Sequence, residues 1–257
     1  MIFASESIDP ASAGAVPSAP EIASQGYKLS FSDEFNGDKL DEEKWSYRTD
    51  SKGQSTELTA NVVVSNGAVQ FLTKKERSRG KEYTGGGIIS KIEFTHGYYE
   101  ARFNLPAGSG WHTSFFTMHY NGKDTVPVLG REEIDICEAD STSGPKCWGD
   151  AYTVHDWGSK LLPHGVELPS HKLPEGHAKP HIEKGDLREF HTWGMEFTPT
   201  VINFYLEGQL RGSVDATLFT HTPMNVWLTT LGWAGVVDES KLPSSAQCDY
   251  FRFFTKD

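Results

Sequence analysis

Glu133-Ile134-Asp135-Ile136-Cys137-Glu138 sets three carboxylates into an apolar run bounded by turn formers, Gly130 before it and Ser141, Ser143, Gly144 and Pro145 after it. β-branched Ile134 and Ile136 alternate with the acids, the period-two pattern of a strand with one apolar and one polar face. On such a strand Glu133 and Asp135 share a face. Glu138 is an odd number of residues from Glu133, so strict alternation sends it to the other side. A one-residue bulge near Cys137 brings it back, and bulges are over-represented beside active sites.

The rest of the chain has the punctuation of an all-β protein. Tyr27–Phe31 reads as a short strand, and Asn61–Val64, the turn Asn66-Gly67 and Ala68–Leu72 read as a hairpin. Strands are expected at Gly97–Leu105, Trp111–Tyr120, Ala151–Trp157, His191–Phe197, Val201–Leu206, Met224–Thr230 and Asp249–Phe254. Gly85-Gly86-Gly87 precedes no helix, which favours a bend or a close backbone approach over a phosphate cradle. Short strands at this spacing predict one β-sandwich domain over residues 26–257, preceded by a flexible leader of Ala, Ser and Pro over residues 1–25. Residues 156–188 lack pattern and carry His164, His171, His177 and His181; a loop this long is usually functional and is expected to border a cleft.

Composition narrows the function classes. Seven Trp, nine Tyr and fifteen Phe in 257 residues are ample for a core. A formal charge of −11 argues against nucleic acid, and the basic stretch Lys74–Lys81 reads as a solvated loop. No apolar run approaches the ~20 residues of a membrane span. Three cysteines, Cys137, Cys147 and Cys248, are too few for a disulfide framework, although Cys137 and Cys147 are close in sequence.

Three carboxylates on one face cost several kcal/mol when buried, unless some carry protons or a function requires them. The row suits retaining glycoside hydrolysis, in which one carboxylate attacks the anomeric carbon while a carboxylic acid about 5–5.5 Å away protonates the leaving oxygen. Asp135 between two glutamates would hydrogen-bond a neighbour and help keep the acid protonated. Three other readings use the same residues. They are a surface strand of solvated acids, a metal cluster of Glu133, Asp135, Glu138 and His155, and a binding module without catalysis.

The order and spacing of several segments resemble glycoside hydrolase family 16 from about Leu29 to Phe254. The acid run matches the bulged E-x-D-x-x-E form of its laminarinases. Phe31–Asn36 is similar to the family's D-E-F stretch and Gly97–Leu105 to its G-[YR]-[YF]-E-A-R strand. Phe190–Pro199 is similar to a strand ending in a T-P turn, Val201–Gly208 to the I-x-F-Y-x-x-G hairpin, and Asp249–Phe253 to the closing strand. The resemblance implies a jelly-roll sandwich of two antiparallel sheets, the concave one forming a substrate cleft. It implies Glu133 as nucleophile, Glu138 as general acid/base and Asp135 as the helper between them. It places Trp111, Trp157 and Trp233 in the cleft, where sugar rings stack on aromatic faces, with His155 near the acids and Asn61 at the outer subsites. Trp45, Trp193 and Trp227 are expected in the core. No cofactor is needed for catalysis. A structural calcium is implied on the convex side, at positions matching Glu34, Gly67 and Asp249.

What the resemblance implies for function is a retaining endo-β-glycosidase on a polysaccharide, first a β-1,3- or mixed-linkage glucan. Such an enzyme is expected to act as a monomer, secreted or periplasmic. Departures concern the subsites: Trp111-His112-Thr113-Ser114-Phe115-Phe116 replaces W-P-A-F-W, Gly87 replaces a frequent Arg, and Leu231-Gly232-Trp233 replaces G-G-x-W. Thr113-Ser114 before Phe115 resembles the branch acting on red-algal galactans (agarases, porphyranases and carrageenases), which stands as the alternative beside transglycosylation.

Overall fold

The computed structural model describes residues 22, 25–119, 132–140, 148–156, 188–217, 219, 221–233 and 235–256, with backbone alone for 140 and 148–156. In chain order the strands are β1 (Lys28–Asp33), β2 (Trp45–Tyr47), β3 (Ser51–Lys52), β4 (Ser55–Glu57), β5 (Val62–Ser65), β6 (Ala68–Thr73), β7 (Tyr83–Phe94) and β8 (Gly97–Asn104). They continue with β9 (Trp111–Met118), β10 (Glu132–Asp140), β11 (Trp148–Asp156), β12 (His191–Phe197), β13 (Val201–Leu206), β14 (Gln209–Asp215), β15 (Met224–Gly232) and β16 (Ser244–Thr255). Two eight-stranded sheets result. One runs β11-β10-β9-β15-β7-β4-β3 with β2 also on β7; the other runs β14-β13-β12-β8-β16-β6-β5 with β1 also on β16. All pairs named are antiparallel except β4 with β7, which is parallel. The expected pair of antiparallel sheets therefore holds with that one exception.

Alternation sorts each strand into a core face and an outer face. Ile134, Phe115, Val226, Leu228 and Ile88 of the acid-bearing sheet meet Tyr99, Ala101, Trp193, Met195, Phe204 and Phe251 of the other in one core. Its centre is aromatic: Phe251 lies 5.8 Å from Trp45, 5.8 Å from Phe94 and 6.0 Å from Phe115, in edge-to-face arrangements. Such geometry puts ring edges against ring faces, and each fully buried ring contributes about 1.5–3 kcal/mol of transfer free energy. Trp45 and Trp193 are core residues, as expected.

The triple glycine lies inside β7 as extended backbone, so it is a close approach and not a bend. A Cβ on Gly85 would stand 2.3 Å from the Thr230 carbonyl oxygen, and one on Gly87 2.9 Å from the Thr229 side chain. Strands β2, β3, β4 and β14 are too short or too polar to have been read from pattern. Residues 1–21 of the expected leader lie outside the described residues. Ile22, however, is buried with Tyr27, Tyr98 and Phe254, so packed chain begins before residue 26. The four loop histidines of 156–188 and Cys147 also lie outside the described residues. No helix among the described residues is long and apolar enough to cross a membrane.

Candidate active site

The bulge predicted near Cys137 is present. Asp135 pairs with Phe116 of β9 while Cys137 pairs with the next residue, Phe115. On the other edge, Asp135 pairs with Thr153 and Glu138 with Ala151, three steps on β10 against two on β11. Ile136 and Cys137 consequently both enter the core, with Ile134 and Ala139. Glu133, Asp135 and Glu138 are left together on the outer face.

The neighbouring strands complete that face. Opposite the acids on β9 stand Met118, Phe116 and Ser114, and the next strand adds Trp227 and Thr229. Phe116 stacks on Trp227 at 5.3 Å and 21°, and both pack with Ile89 and Met118 in a small cluster separate from the main core. Trp227 was expected in that core; alternation on β15 puts it on the acid face instead. Arg48 lies over its ring at 5.5 Å, donates from Nη1 to Thr229 Oγ1 at 3.2 Å, and is gripped by both Asp50 oxygens at 2.6 and 3.0 Å. The Arg48 backbone N–H donates to the Gly87 carbonyl at 2.9 Å.

Asp135 is 2% exposed. Burial, and then the charge of Glu138, push its carboxyl well above the usual range, partly offset by a hydrogen bond with Glu133 and the charge of Lys52. A hydrogen bond links Asp135 to Glu133 within the row. Glu133 and Glu138, half-buried, open toward solvent. His112 Nε2 stands 3.4 Å from Glu138 Oε1, and its ring lies 5.7 Å from the indole of Trp233. Trp233 is 40% exposed, with Lys52 Nζ 5.3 Å over its ring.

The other expected site residues divide. Trp111 does not present a cleft platform. Its side chain is 1% exposed and packs edge-on to Tyr83 at 6.1 Å, because it starts β9 on the face opposite His112. Asn61 is likewise inside the protein, fully buried and donating from Nδ2 to the Gly85 carbonyl at 3.0 Å. His155 lies on β11 directly opposite Glu133, its side chain outside the described residues; Trp157 lies outside them altogether. His112, Lys52 and Arg48 were missed. For His112 a signal existed: counting back by twos from Phe116 places it on the acid face. Lys52 and Arg48 come from a short edge strand and a strand end, where pattern gives no face.

At the positions expected to hold calcium the two carboxylate side chains face guanidinium groups. Both Glu34 oxygens accept from Arg252, at 3.0 and 2.7 Å. Asp249 is ion-paired with Arg102, and Gly67, which could offer only its carbonyl, sits at φ +73° in its hairpin turn. Among the described residues no group of three or more His, Cys, Asp or Glu side chains is arranged to hold a metal; His155, a member of the metal-cluster reading, has its side chain outside them.

Residues 28–248 match the family model described as the GH16 domain of β-porphyranases A–D. The chain belongs to glycoside hydrolase family 16. Family 16 relatives include β-porphyranase B of Zobellia galactanivorans, 28% identical over 214 residues, covering 76% of this chain and 71% of that protein. The κ-carrageenase of Pseudoalteromonas carrageenovora is 26% identical over 219 residues, covering 77% of this chain. This chain spans about half, 53%, of that κ-carrageenase's length. Among solved structures, the non-specific endo-β-1,3(4)-glucanase SCLam of family 16 superposes with a TM-score of 0.71 at 25% identity, covering 95% of this chain and 94% of that one. The family 16 jelly roll is the fold described above.

Proposed function

We propose that this chain is an endo-acting, retaining glycoside hydrolase that cuts a polysaccharide by double displacement. The observation that carries the reading is the bulge at Ile136–Cys137, which gathers three carboxyl groups onto one face above an aromatic floor. The Glu133 carboxylate attacks the anomeric carbon as the glycosidic C–O bond breaks and Glu138 gives its proton to the leaving oxygen. In the second step Glu138 takes a proton from water, whose oxygen displaces Glu133 from the sugar. Asp135, whose carboxyl burial pushes well above the usual range, holds Glu133 in place through their hydrogen bond. Trp233 offers the exposed ring on which a sugar can stack.

For substrate we favour a red-algal galactan over the β-1,3- or mixed-linkage glucan suggested by the laminarinase-like acid motif. The β-porphyranase description of the matching family model supports this, as does Thr113-Ser114 before Phe115. Lys52 over Trp233 also puts a cation at one end of the site in an acidic protein, which suits sulfated sugar polymers. Glucan remains the second reading through the likeness to SCLam. A polymer of this size is met outside the cytoplasm, so secretion or export to a periplasm is part of the proposal.

The test is a reducing-end assay on porphyran, agarose, κ-carrageenan, laminarin and lichenan, with Glu133→Gln and Glu138→Gln alongside. Release from a galactan with at least a ~100-fold loss in both variants is expected. Release from laminarin or lichenan alone would overturn the substrate, and full turnover in either variant would overturn the mechanism.

A further inference from the structure

His112 is the one imidazole described beside the acid row. It lies on β9 two residues from Ser114, the partner of Glu138, and so shares the acid face. Its Nε2 approaches Glu138 Oε1 at 3.4 Å, whereas its Nδ1 is buried and has no hydrogen-bond partner among the described residues. One ring nitrogen therefore points at the acid/base, and the polar character of the other is left unrewarded. An imidazole so placed is costly unless it serves the carboxyl it touches. The ring rests on Trp233, whose backbone N–H donates to the Gly110 carbonyl at 3.0 Å. Platform, imidazole and carboxyl form a continuous contact.

We propose that His112 is a positioning residue for the reaction: it holds the Glu138 carboxyl and favours its ionised form, and a sugar seated on Trp233 fixes the imidazole in turn. This rests on the reading of Glu138 as the acid/base. An N–H donated to one carboxylate oxygen stabilises the charged state and directs the catalytic proton to the other oxygen. The other ionisable groups described around the pair are Glu133 and Asp135 on the same strand and Lys52 over Trp233; Asp140 is opposite His112 in register, its side chain outside the described residues. The carboxylates favour a protonated Glu138 and Lys52 an ionised one, and all three stay in place when His112 is replaced.

The test follows the Glu138 carboxyl directly, by carbon-13 NMR titration of glutamate-labelled protein, with the resonance assigned by its loss in Glu138→Gln. In His112→Phe the Glu138 midpoint should move to higher pH by about 0.5–1 unit, the sign expected when a donor to the ionised form is removed. His112→Gln, which retains an N–H donor, should restore part of the shift. The alkaline limb of kcat/KM on the polysaccharide that is cleaved should move the same way. A folded His112→Phe with an unmoved midpoint and a rate lowered equally at every pH would overturn the proposal. If the Phe variant does not fold, His112→Met supplies the apolar replacement. Full turnover in Glu138→Gln would instead defeat the acid/base reading, while the NMR midpoint would still decide the His112 contact.

Discussion

Both sheets bury carboxylates on their outer faces, and they treat them in opposite ways. On the sheet of β8, β12, β13 and β16 every such acid has donors. Glu100 accepts from Tyr250 Oη at 3.0 Å and Tyr98 Oη at 3.3 Å. Glu196 accepts from Tyr27 and Asn203, each at 2.8 Å, with Lys256 at 3.7 Å. Glu34, partly exposed just after β1, and Asp249, half-buried with Oδ1 unpartnered among the described residues, have their arginines. On the acid sheet Glu133, Asp135 and Glu138 stand in a row, sharing a hydrogen bond between two of them and like-charge repulsion with the third. Structural acids are matched to donors from other strands, which favours the fold; the row sets three acids beside one another, which favours a perturbed proton affinity. The difference separates a sheet built for stability from one that carries strain for chemistry.

Replacing Asp135 by Asn should give the largest effect and the sharpest contrast. The asparagine side chain keeps an N–H that can reach Glu133 but cannot share a proton, so turnover should fall about 100-fold or more. Relief of the like-charge row should leave the thermal midpoint equal to or above wild type. Calorimetry together with reducing-end kinetics checks both. Loss of several degrees in midpoint would place Asp135 with the structural acids and end the contrast.

Much of this contrast could be read from sequence, for a physical reason. Period-two alternation with one odd step forces a bulge if Glu138 is to join Glu133, and the register shows it at Ile136–Cys137. Where alternation is strict, as in β8 and β12, strand and face follow directly. Burial of a particular aromatic does not, because a Trp can pack on either side of a strand. Trp111 fell to the core side and Trp227 to the acid face, each opposite to its expected place, although both strands were correctly read. The residues that pair Glu34 and Asp249 with arginines come from strands far apart in sequence, which no local pattern reports. Short contributors such as Lys52 and Arg48 become visible only once β2, β3 and β7 are assembled.

Glu57 is an intermediate case on the acid sheet and gives the next largest effect. One of its oxygens accepts from Ser55 Oγ at 2.6 Å, while Oε2 is buried without a partner among the described residues. Burial, with the charge of Asp50, raises its carboxyl from 4.5 to about 7, against the Ser55 hydrogen bond and the charge of Arg48. A raised carboxyl favours the folded state below the unfolded value and loses that advantage as pH climbs from 4.5 through about 7. The loss is on the order of 2–3 kcal/mol. Urea unfolding of Glu57→Gln between pH 5 and pH 8 should show a flatter dependence than wild type. An unchanged slope would mean that Glu57 is as well matched as the acids of the opposite sheet.

The smallest effect belongs to the matched sheet, and it tests the rule from the other side. Tyr250→Phe removes one donor from Glu100 and the hydroxyl's contact with Thr192, while Arg252 can lie over a Phe ring as it lies over Tyr250 at 3.9 Å. Tyr98 still donates to the second oxygen. A fully buried carboxyl that loses one of its donors costs about 1–2 kcal/mol. The urea midpoint should fall accordingly, with kcat and KM unchanged, because the core separates Glu100 from the acid row. A change in kcat would mean that the two faces communicate through the strands between them. Stability lost without activity, set against activity lost without stability in Asp135→Asn, is the double dissociation that the opposite treatment of carboxylates requires.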